Sequence, residues 1–596
     1  MKEVQALTEY LKTTLAYQVG LALIDAKGSF SKLLLLPYEL YVLNRKHKNK
    51  SKQLLKKKSL GVDDIEDEVL ELITNEQDDT YALLRRRGRA NSHISKVFLL
   101  AARVSLKVSL SRARALAEDA FKFAADQKQK EAAIIVIYDS GSIQAAYQKI
   151  LEIQLDPYTS SSKIRRIFDE YRITTNGYAL PSKSIAVNSN INNSKIIYVS
   201  HFSIPYHSSG YATRTHSMLQ ALAWSGIDVT CVTRPGYPLD RSDSKFLSRA
   251  RSHEEVEGIE YRHIGLNSLF NDGTLSYFKQ ASDELVRVCK QQDPKFIIAG
   301  SNYVNALPAL MTARRLGLSF AYDVRGLWEY TTASKFKGWE YTERFGFIRY
   351  METLVAAEAD RVFAISSPLR DELINRGVAS DKISLLPNGV DLEKFNEHTV
   401  SHELRDKLNI DIKSVVFGFI GTLEVYEGLD EVLHAVKMLL SRGVKCNLVI
   451  VGDGSCARQI GELILSLGLS EHVRLIGRVP FSDVGKYYEL CDVFVYPRVE
   501  THVTRIVPAL KPLEAMASKK AVVVSNLPAL VELVGGEANA AIVKPGSSSD
   551  LFAAMYRLCK EETRNHLASE GYHFVAKNKT WKKSIAELVD FIENPQ

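Results

Sequence analysis

The densest chemistry in this 596-residue chain lies in VYPRVETHVTRIVPALKPLEAMASKKAVVVSNLPALVELV, Val495–Val534. A strand-length run gives way to an irregular loop holding Arg498 and Arg505. A helix opened by Pro512 follows, with Glu514 in its first turns. A carboxylate in that place can accept two hydrogen bonds from the vicinal hydroxyls of a ribose. The loop amides near Ala509–Lys511 can face a diphosphate. Taken alone, Glu514 reads first as a favourable charge at a helix start. The whole string turns the reading toward a nucleotide.

A second segment, His201–Pro238 (HFSIPYHSSGYATRTHSMLQALAWSGIDVTCVTRPGYP), ends a strand at Ser200 and places Ser208, Ser209 and Gly210 in a loop. A helix is expected from about Thr213. Glycine at such a turn lets the backbone approach a ligand, and a helix start favours an anion. Many α/β loops share this look, and alone it carries little weight. A third segment, NGVDLEKF (Asn388–Phe395), opens on a turn signal and reads most simply as an interdomain connector.

These loops need a frame, and the apolar pattern supplies one from about Lys195 onward. Strand-length runs (KIIYVS, IDVTCVT, KFIIAG, SFAYDVR, RVFAIS) alternate with helix-length amphipathic stretches, pause at LLPNGVDLEKF, and resume with VVFGFIG, NLVIVGDG, VRLIGR, VFVYP, AVVVS and AAIVKP. That alternation indicates an α/β fold of two doubly wound, Rossmann-like domains, 191–390 and 391–596. Ligands bind such sheets at the carboxyl ends of their strands, which places the site in a cleft between the two domains.

Residues 1–190 have a different texture, with helical periodicity, few glycines and dense charge. The pattern over Arg103–Arg166 suggests two or three helical hairpins without a convincing fixed repeat. Pro181–Ser194, rich in Ser and Asn, reads as a linker. Arg45–Lys58 (RKHKNKSKQLLKKK) is almost purely cationic, follows the apolar Leu33–Leu43, and is followed by the acidic run Asp63–Glu71; Arg85, Arg86, Arg87 and Arg89 form a second basic cluster. Two readings of Arg45–Lys58 stand side by side. It is a solvated helix neutralised by the acidic run, or it holds the chain on an anionic membrane surface, such as the inner face of the cell membrane.

The bulk numbers exclude several classes. At 596 residues, two to four domains are expected. A formal charge of +7 is small for this length and implies no nucleic-acid partner. The six cysteines lack CxxC spacing, which argues against a zinc site and for buried free thiols in a reducing compartment. No apolar stretch reaches membrane-spanning length, and Met1–Leu11 lacks a signal-peptide core. A cytoplasmic protein is the expectation.

The order and spacing of the glycine loop, PNGVD..F connector and PLEAMA helix resemble the family-four retaining glycosyltransferases, from about Lys195 to the final TWKKSIAELVDFI helix. The strings SGYATRTHSML, VTRPGYP, GSNYVNALPAL, VRGLWE and VTRIVPALKPLEAMA are similar to those of the subgroup working on bacterial surface polysaccharides and glycolipids. The resemblance implies a GT-B fold, a final helix that crosses back toward the first α/β domain, and hexosyl-type transfer from a nucleotide sugar, most commonly a UDP-sugar. The implied acceptor is a glycan or a lipid-linked sugar. No cofactor or metal is implied, and no DxD stands at a strand end in the α/β region.

Carried over residue by residue, the donor side comprises Gly210, Thr422, Arg478, Arg498, Arg505, Leu510, Lys511 and Glu514, and the acceptor side Asn302, Arg325 and Glu329. An ion pair of purely structural use is the plain reading of Arg325 and Glu329. This chain departs from the family pattern at several points. Ile506 stands where an E-x7-E pair begins. Thr422 and Glu427 replace the arginine and lysine of a phosphate clamp, and Lys511, Arg498 and Arg505 are expected to compensate. The histidine often found beside the reacting sugar would fall near Gly300, where Ser301, Asn302 and Asn305 stand instead. These departures motivate one alternative, an inactive GT-B scaffold whose helical region binds other proteins. A second is another reaction on the same architecture, such as epimerisation or phosphorolysis.

Overall fold

The computed structural model describes Val69 and residues 90–184, 195–207, 209–240, 251–265, 273–395, 402–480 and 483–594. The basic stretches 45–58 and 85–89, the acidic run 63–71 apart from Val69, the apolar run 33–43 and most of the 181–194 linker lie outside the described residues.

Two compact units emerge. Among the described residues the first is built on five helices, Asn91–Ser105, Leu110–Lys122, Gln127–Asp139, Ile143–Glu152 and Ser162–Asn176. Each packs on the next through small or branched side chains such as Ala101, Ala113, Ala117, Ala133, Ile137 and Ile164, all fully buried. The unit also takes in Lys335–Ile348 and the start of the helix Thr274–Gln292, segments that the sequence places inside the α/β region. Polar caps explain the recruitment. The Glu343 carboxylate accepts the Gln144 amide at 2.6 Å, at the start of the helix Ile143–Glu152, and Asp169 accepts the Leu275 amide at 3.0 Å. Arg344 lies 4.1 Å over the ring of Tyr138.

The second unit holds two sheets. The first contains β1 (Ile196–Ser200), β2 (Val229–Thr233), β3 (His253–Val256), β4 (Ile259–His263), β5 (Phe296–Gly300), β6 (Ser319–Val324), β7 (Arg361–Ala364) and β8 (Ile383–Leu385), in the order β3-β4-β2-β1-β5-β6-β7-β8. Only β3 runs antiparallel. The second contains β9 (Val415–Ile420), β10 (Cys446–Val451), β11 (Val473–Gly477), β12 (Val493–Tyr496), β13 (Ala521–Ser525) and β14 (Ala541–Val543), all parallel, in the order β11-β10-β9-β12-β13-β14. Runs such as IIYVS, FIIAG and CNLVIV are buried along their whole length because helices cover both faces of a parallel sheet.

In each sheet the strand order reverses at one point, between β1 and β5 and between β9 and β12. The carboxyl ends there open onto crevices. The end of the chain returns to the first sheet: Trp581, Ile585, Leu588 and Ile592 are buried with Tyr198, Phe296 and Phe363 in its core. All six cysteines are free, and five of them are buried. Among the described residues no helix is long and apolar enough to cross a membrane, and no group of three acidic, histidine or cysteine side chains could hold a metal ion.

Candidate active-site cleft

Both crevices contribute to one cleft of about 360 Å³. Its first wall is the turn after β1. The helix there runs Gly210–Trp224, three residues earlier than the sequence suggested, because Ser209 caps it by accepting the Ala212 amide at 3.4 Å. Gly210 lines the cleft with nothing within 4 Å of where a Cβ would stand. Arg214, one turn on, also lines it, as do Arg325 and Asn388.

These two arginines close on one buried carboxylate. Asp323 and Arg325 are two residues apart at the end of β6, and Arg325 Nε donates to Asp323 Oδ2 at 2.8 Å. Arg325 also donates to Thr215 Oγ1 at 2.6 Å, to the Tyr211 carbonyl at 3.1 Å and to the Tyr198 hydroxyl. Arg214 donates to Asp323 Oδ1 at 3.4 Å, to the Leu386 carbonyl at 2.8 Å and to Asn388 Oδ1 at 3.4 Å. Burial pushes the Asp323 carboxyl upward, but Arg325 and Arg214 outweigh it and hold the group below the usual range.

The opposite wall comes from the second sheet. Gly421 and Thr422 follow β9, Gly452 and Asp453 follow β10, Arg478 follows β11, and Arg498 follows β12; Leu510 and Lys511 stand at the start of the helix Lys511–Ala517. The loops pack backbone on backbone. At Gly452, with φ +142°, a Cβ would stand 1.8 Å from the Gly421 carbonyl oxygen, and at Gly428 2.2 Å from that of Pro497.

The substituted clamp has a structural explanation. Glu427 does not point a bare carboxylate into the cleft. Arg498 donates to it twice, from Nη2 at 2.6 Å and Nε at 3.0 Å, while its Nη1 donates to the Val507 carbonyl at 3.2 Å. Burial acts to lower the Arg498 pKa, and Glu427 reverses this and raises it. Of the three cations expected from the sequence to compensate, Lys511 foremost with Arg498 and Arg505, Arg498 is engaged in an ion pair with Glu427. Lys511 reaches the cleft with its ammonium 2.7 Å from Glu514, and Arg478 lines it exposed, in no ion pair among the described residues.

Four expected site residues do not line the cleft. Asn302 is fully buried and caps the helix Tyr303–Leu316, its Oδ1 accepting the Val304 amide at 2.8 Å. Glu329 is fully buried against Arg376 at 2.6 Å rather than paired with Arg325. Arg505 turns to the surface and pairs with Glu500. Glu514 lies one layer behind Lys511, where its Oε2 also accepts the Tyr488 hydroxyl at 2.7 Å. Ile506 is buried, and its carbonyl accepts Ser366 Oγ at 2.5 Å. The sequence reading missed Arg214, Tyr426, Asp453 and Tyr496 as lining residues. Arg214 had a usable signal, standing one turn inside a helix that starts at a glycine loop.

Comparison with known proteins agrees with this layout. "Glycosyl transferase 4-like domain" matches residues 209–389, and "Glycosyl transferases group 1" matches residues 400–574. An uncharacterized glycosyltransferase of Methanocaldococcus jannaschii is 25% identical over 42% of this chain and 64% of its own length. The capsular polysaccharide biosynthesis glycosyltransferase CapM of Staphylococcus aureus is 24% identical over 52% of this chain and 79% of its own. Among solved structures, sucrose-phosphate synthase from Thermosynechococcus elongatus superposes with a TM-score of 0.55 at 17% identity, covering 67% of this chain and 98% of that one. Anabaena HepE, in complex with UDP and glucose, gives 0.53 at 15% identity, covering 66% and 99%. With both α/β domains matched in chain order on this fold, the chain belongs to the GT-B glycosyltransferases.

Proposed function

We propose that the chain transfers a sugar, with retention of configuration, from a nucleoside diphosphate sugar to a glycan or lipid-linked acceptor in the synthesis of surface polysaccharide or glycoconjugate. The observation that carries this reading is the second cleft wall. There, glycine-lined loop ends, the start of a helix, and the side chains of Lys511 and Arg478 meet around one opening. A diphosphate leaving with its electron pair gathers negative charge, and fixed cations and amides are what stabilise it. The relatives support the same direction: CapM is named for capsular polysaccharide synthesis, and HepE was solved with UDP and glucose. A UDP-sugar is accordingly the first donor to try. Charge stabilisation rests on side chains and amides, with no metal or other cofactor, and the chain works in the cytoplasm.

The test is a thermal-shift screen with UDP-, GDP- and ADP-sugars, each with and without EDTA. A ligand at a hundredfold its Kd adds about 2.7 kcal/mol to the folded state. One nucleotide series is expected to raise the melting temperature, with EDTA making no difference. No shift from any of them would count against a donor site, and a shift abolished by EDTA and restored by manganese would count against metal-free binding.

A further inference from the structure

Two strings that stand far apart in the sequence, VRGLWEY (Val324–Tyr330) and ETHVTRIV (Glu500–Val507), meet where the two cleft walls join. Arg325 and Val507 both line the cleft, and a Cβ at Gly326 would stand 3.4 Å from Val507 Cγ2. Behind this seam the helices Trp328–Ala333 and Ser367–Asn375 of the first α/β domain pack on the short helix His502–Ile506 of the second.

The contact is polar and aromatic. Tyr330 stacks on His502, with ring centroids 3.7 Å apart and 28° between the planes. The Tyr330 hydroxyl donates to Glu372 Oε1 at 3.0 Å, and His502 Nε2 lies 3.5 Å from Glu372 Oε2. Arg376 fixes that carboxylate from its own side, Nε donating to Oε1 at 2.9 Å, and its Nη1 donates to Glu329 at 2.6 Å. Burial pushes the Glu372 carboxyl upward, but the bonds from His502 and Arg376 outweigh it and bring it down to about 2. Nearby, Ser366 Oγ donates to the Ile506 carbonyl at 2.5 Å, and Glu532 of the helix Pro528–Val534 accepts the Ser367 amide at 3.1 and 3.2 Å.

The loop around His502 is braced as one piece. Thr504 Oγ1 donates to the Val499 carbonyl at 2.7 Å, Thr501 Oγ1 accepts the Thr504 amide at 3.2 Å, and Arg498 Nη1 donates to the Val507 carbonyl at 3.2 Å. A shift at His502 is therefore passed to Arg498 and Val507 in the cleft wall. We propose that Tyr330, Glu372 and His502 are positioning residues, a latch that holds this loop of the second α/β domain against the first and so sets the spacing of the two walls. The latch rests on the glycosyl-transfer reading above and adds to it the device that aligns donor with acceptor. Lys511 and Arg478 both belong to the second α/β domain, so nucleotide binding does not need the latch. Turnover does, because the anomeric carbon must meet groups held from the first wall, and a misplacement of about 1 Å costs on the order of a hundredfold.

The His502 side chain is 45% exposed, and His502→Ala removes the stack without opening a core. Tyr330→Ala removes it from the other side, and Tyr330→Phe keeps the stack but loses the bond to Glu372. These variants and the double His502→Ala/Tyr330→Ala are compared with wild type for kcat of nucleoside diphosphate release from UDP-, GDP- or ADP-glucose, and for nucleotide affinity by calorimetry. Each alanine variant is expected to lower kcat about ten- to a hundredfold, with Tyr330→Phe less affected and the double no worse than the singles. Nucleotide affinity should stay within about twofold of wild type. A purely structural stack would lower the melting temperature and leave kcat of the folded His502→Ala variant unchanged, and that result overturns the proposal. Losses that multiply in the double variant, or an affinity that falls in step with kcat, overturn it as well. No turnover of any donor by the wild type would sink the glycosyl-transfer reading itself and the latch with it.

Discussion

The two walls of the cleft carry similar numbers of cations and use them differently. On the first wall, Arg214 and Arg325 are 3% and 6% exposed, share the fully buried Asp323, and donate to carbonyls and hydroxyls that tie β1, β6 and the connector together. On the second, Arg498 answers Glu427, while Lys511 rests on Glu514 at the cleft edge and Arg478 stands exposed. The difference teaches that a cation lining a site is not thereby a ligand for its substrate. Charges sealed into a network hold the wall in shape, and charges at its solvent edge can turn toward an incoming diphosphate.

Breaking this contrast should give effects of different kinds. The largest is expected at Asp323→Ala, which leaves two buried guanidiniums without their carboxylate. Loss of one partner of a buried charge network costs about 3–5 kcal/mol, and chemical denaturation should show it as a large fall in stability whatever nucleotide is present. Lys511→Ala should do the opposite, leaving the melting temperature near wild type while lowering kcat about a hundred- to a thousandfold. If Lys511→Ala turned over normally, the diphosphate would have to be held elsewhere.

The Glu427–Arg498 pair lies between these extremes because it lines the cleft and is partly solvated. Either single Met variant should lose on the order of 2 kcal/mol of stability, and the double Met variant should lose less than either, since no uncompensated charge remains. Additive losses in that cycle would show that the pair is not coupled. The last effect is one of pH and concerns Glu352, which accepts the Tyr303 amide at 3.0 Å and the Tyr322 hydroxyl. Burial, and then Glu329, push its carboxyl from 4.5 up to about 8. At neutral pH the folded chain keeps this proton and the unfolded chain has lost it. Stability from this group is therefore full below about 4.5 and declines as pH rises toward 8. Glu352→Gln should be clearly more stabilising at pH 8 than at pH 5, because only the carboxyl side chain must hold its proton against the rising pH. Equal effects at both pH values would contradict the assignment.

Much of the frame was legible in the sequence because parallel strands buried on both faces leave unbroken apolar runs, as in IIYVS and CNLVIV. The glycine loop, the connector and the PLEAMA helix were legible as positions around a cleft, and Gly210, Thr422, Leu510 and Lys511 do line it. What failed was side-chain direction and long-range pairing. Glu329 finds its partner 47 residues away in Arg376, and Glu427 finds Arg498 71 residues away because β9 and β12 are neighbours in the sheet. No local pattern encodes either meeting. The same pairing removes one motive for an inactive scaffold, since the acidic residue at the clamp position is answered by a cation on the adjacent loop.

The most direct measurement is release of nucleoside diphosphate by the purified full chain from UDP-, GDP- and ADP-glucose in the presence of EDTA, with Lys511→Ala alongside. The account expects steady turnover of one donor by the wild type and about a hundredfold less by Lys511→Ala. Turnover by wild type no greater than by Lys511→Ala, for every donor, would contradict it.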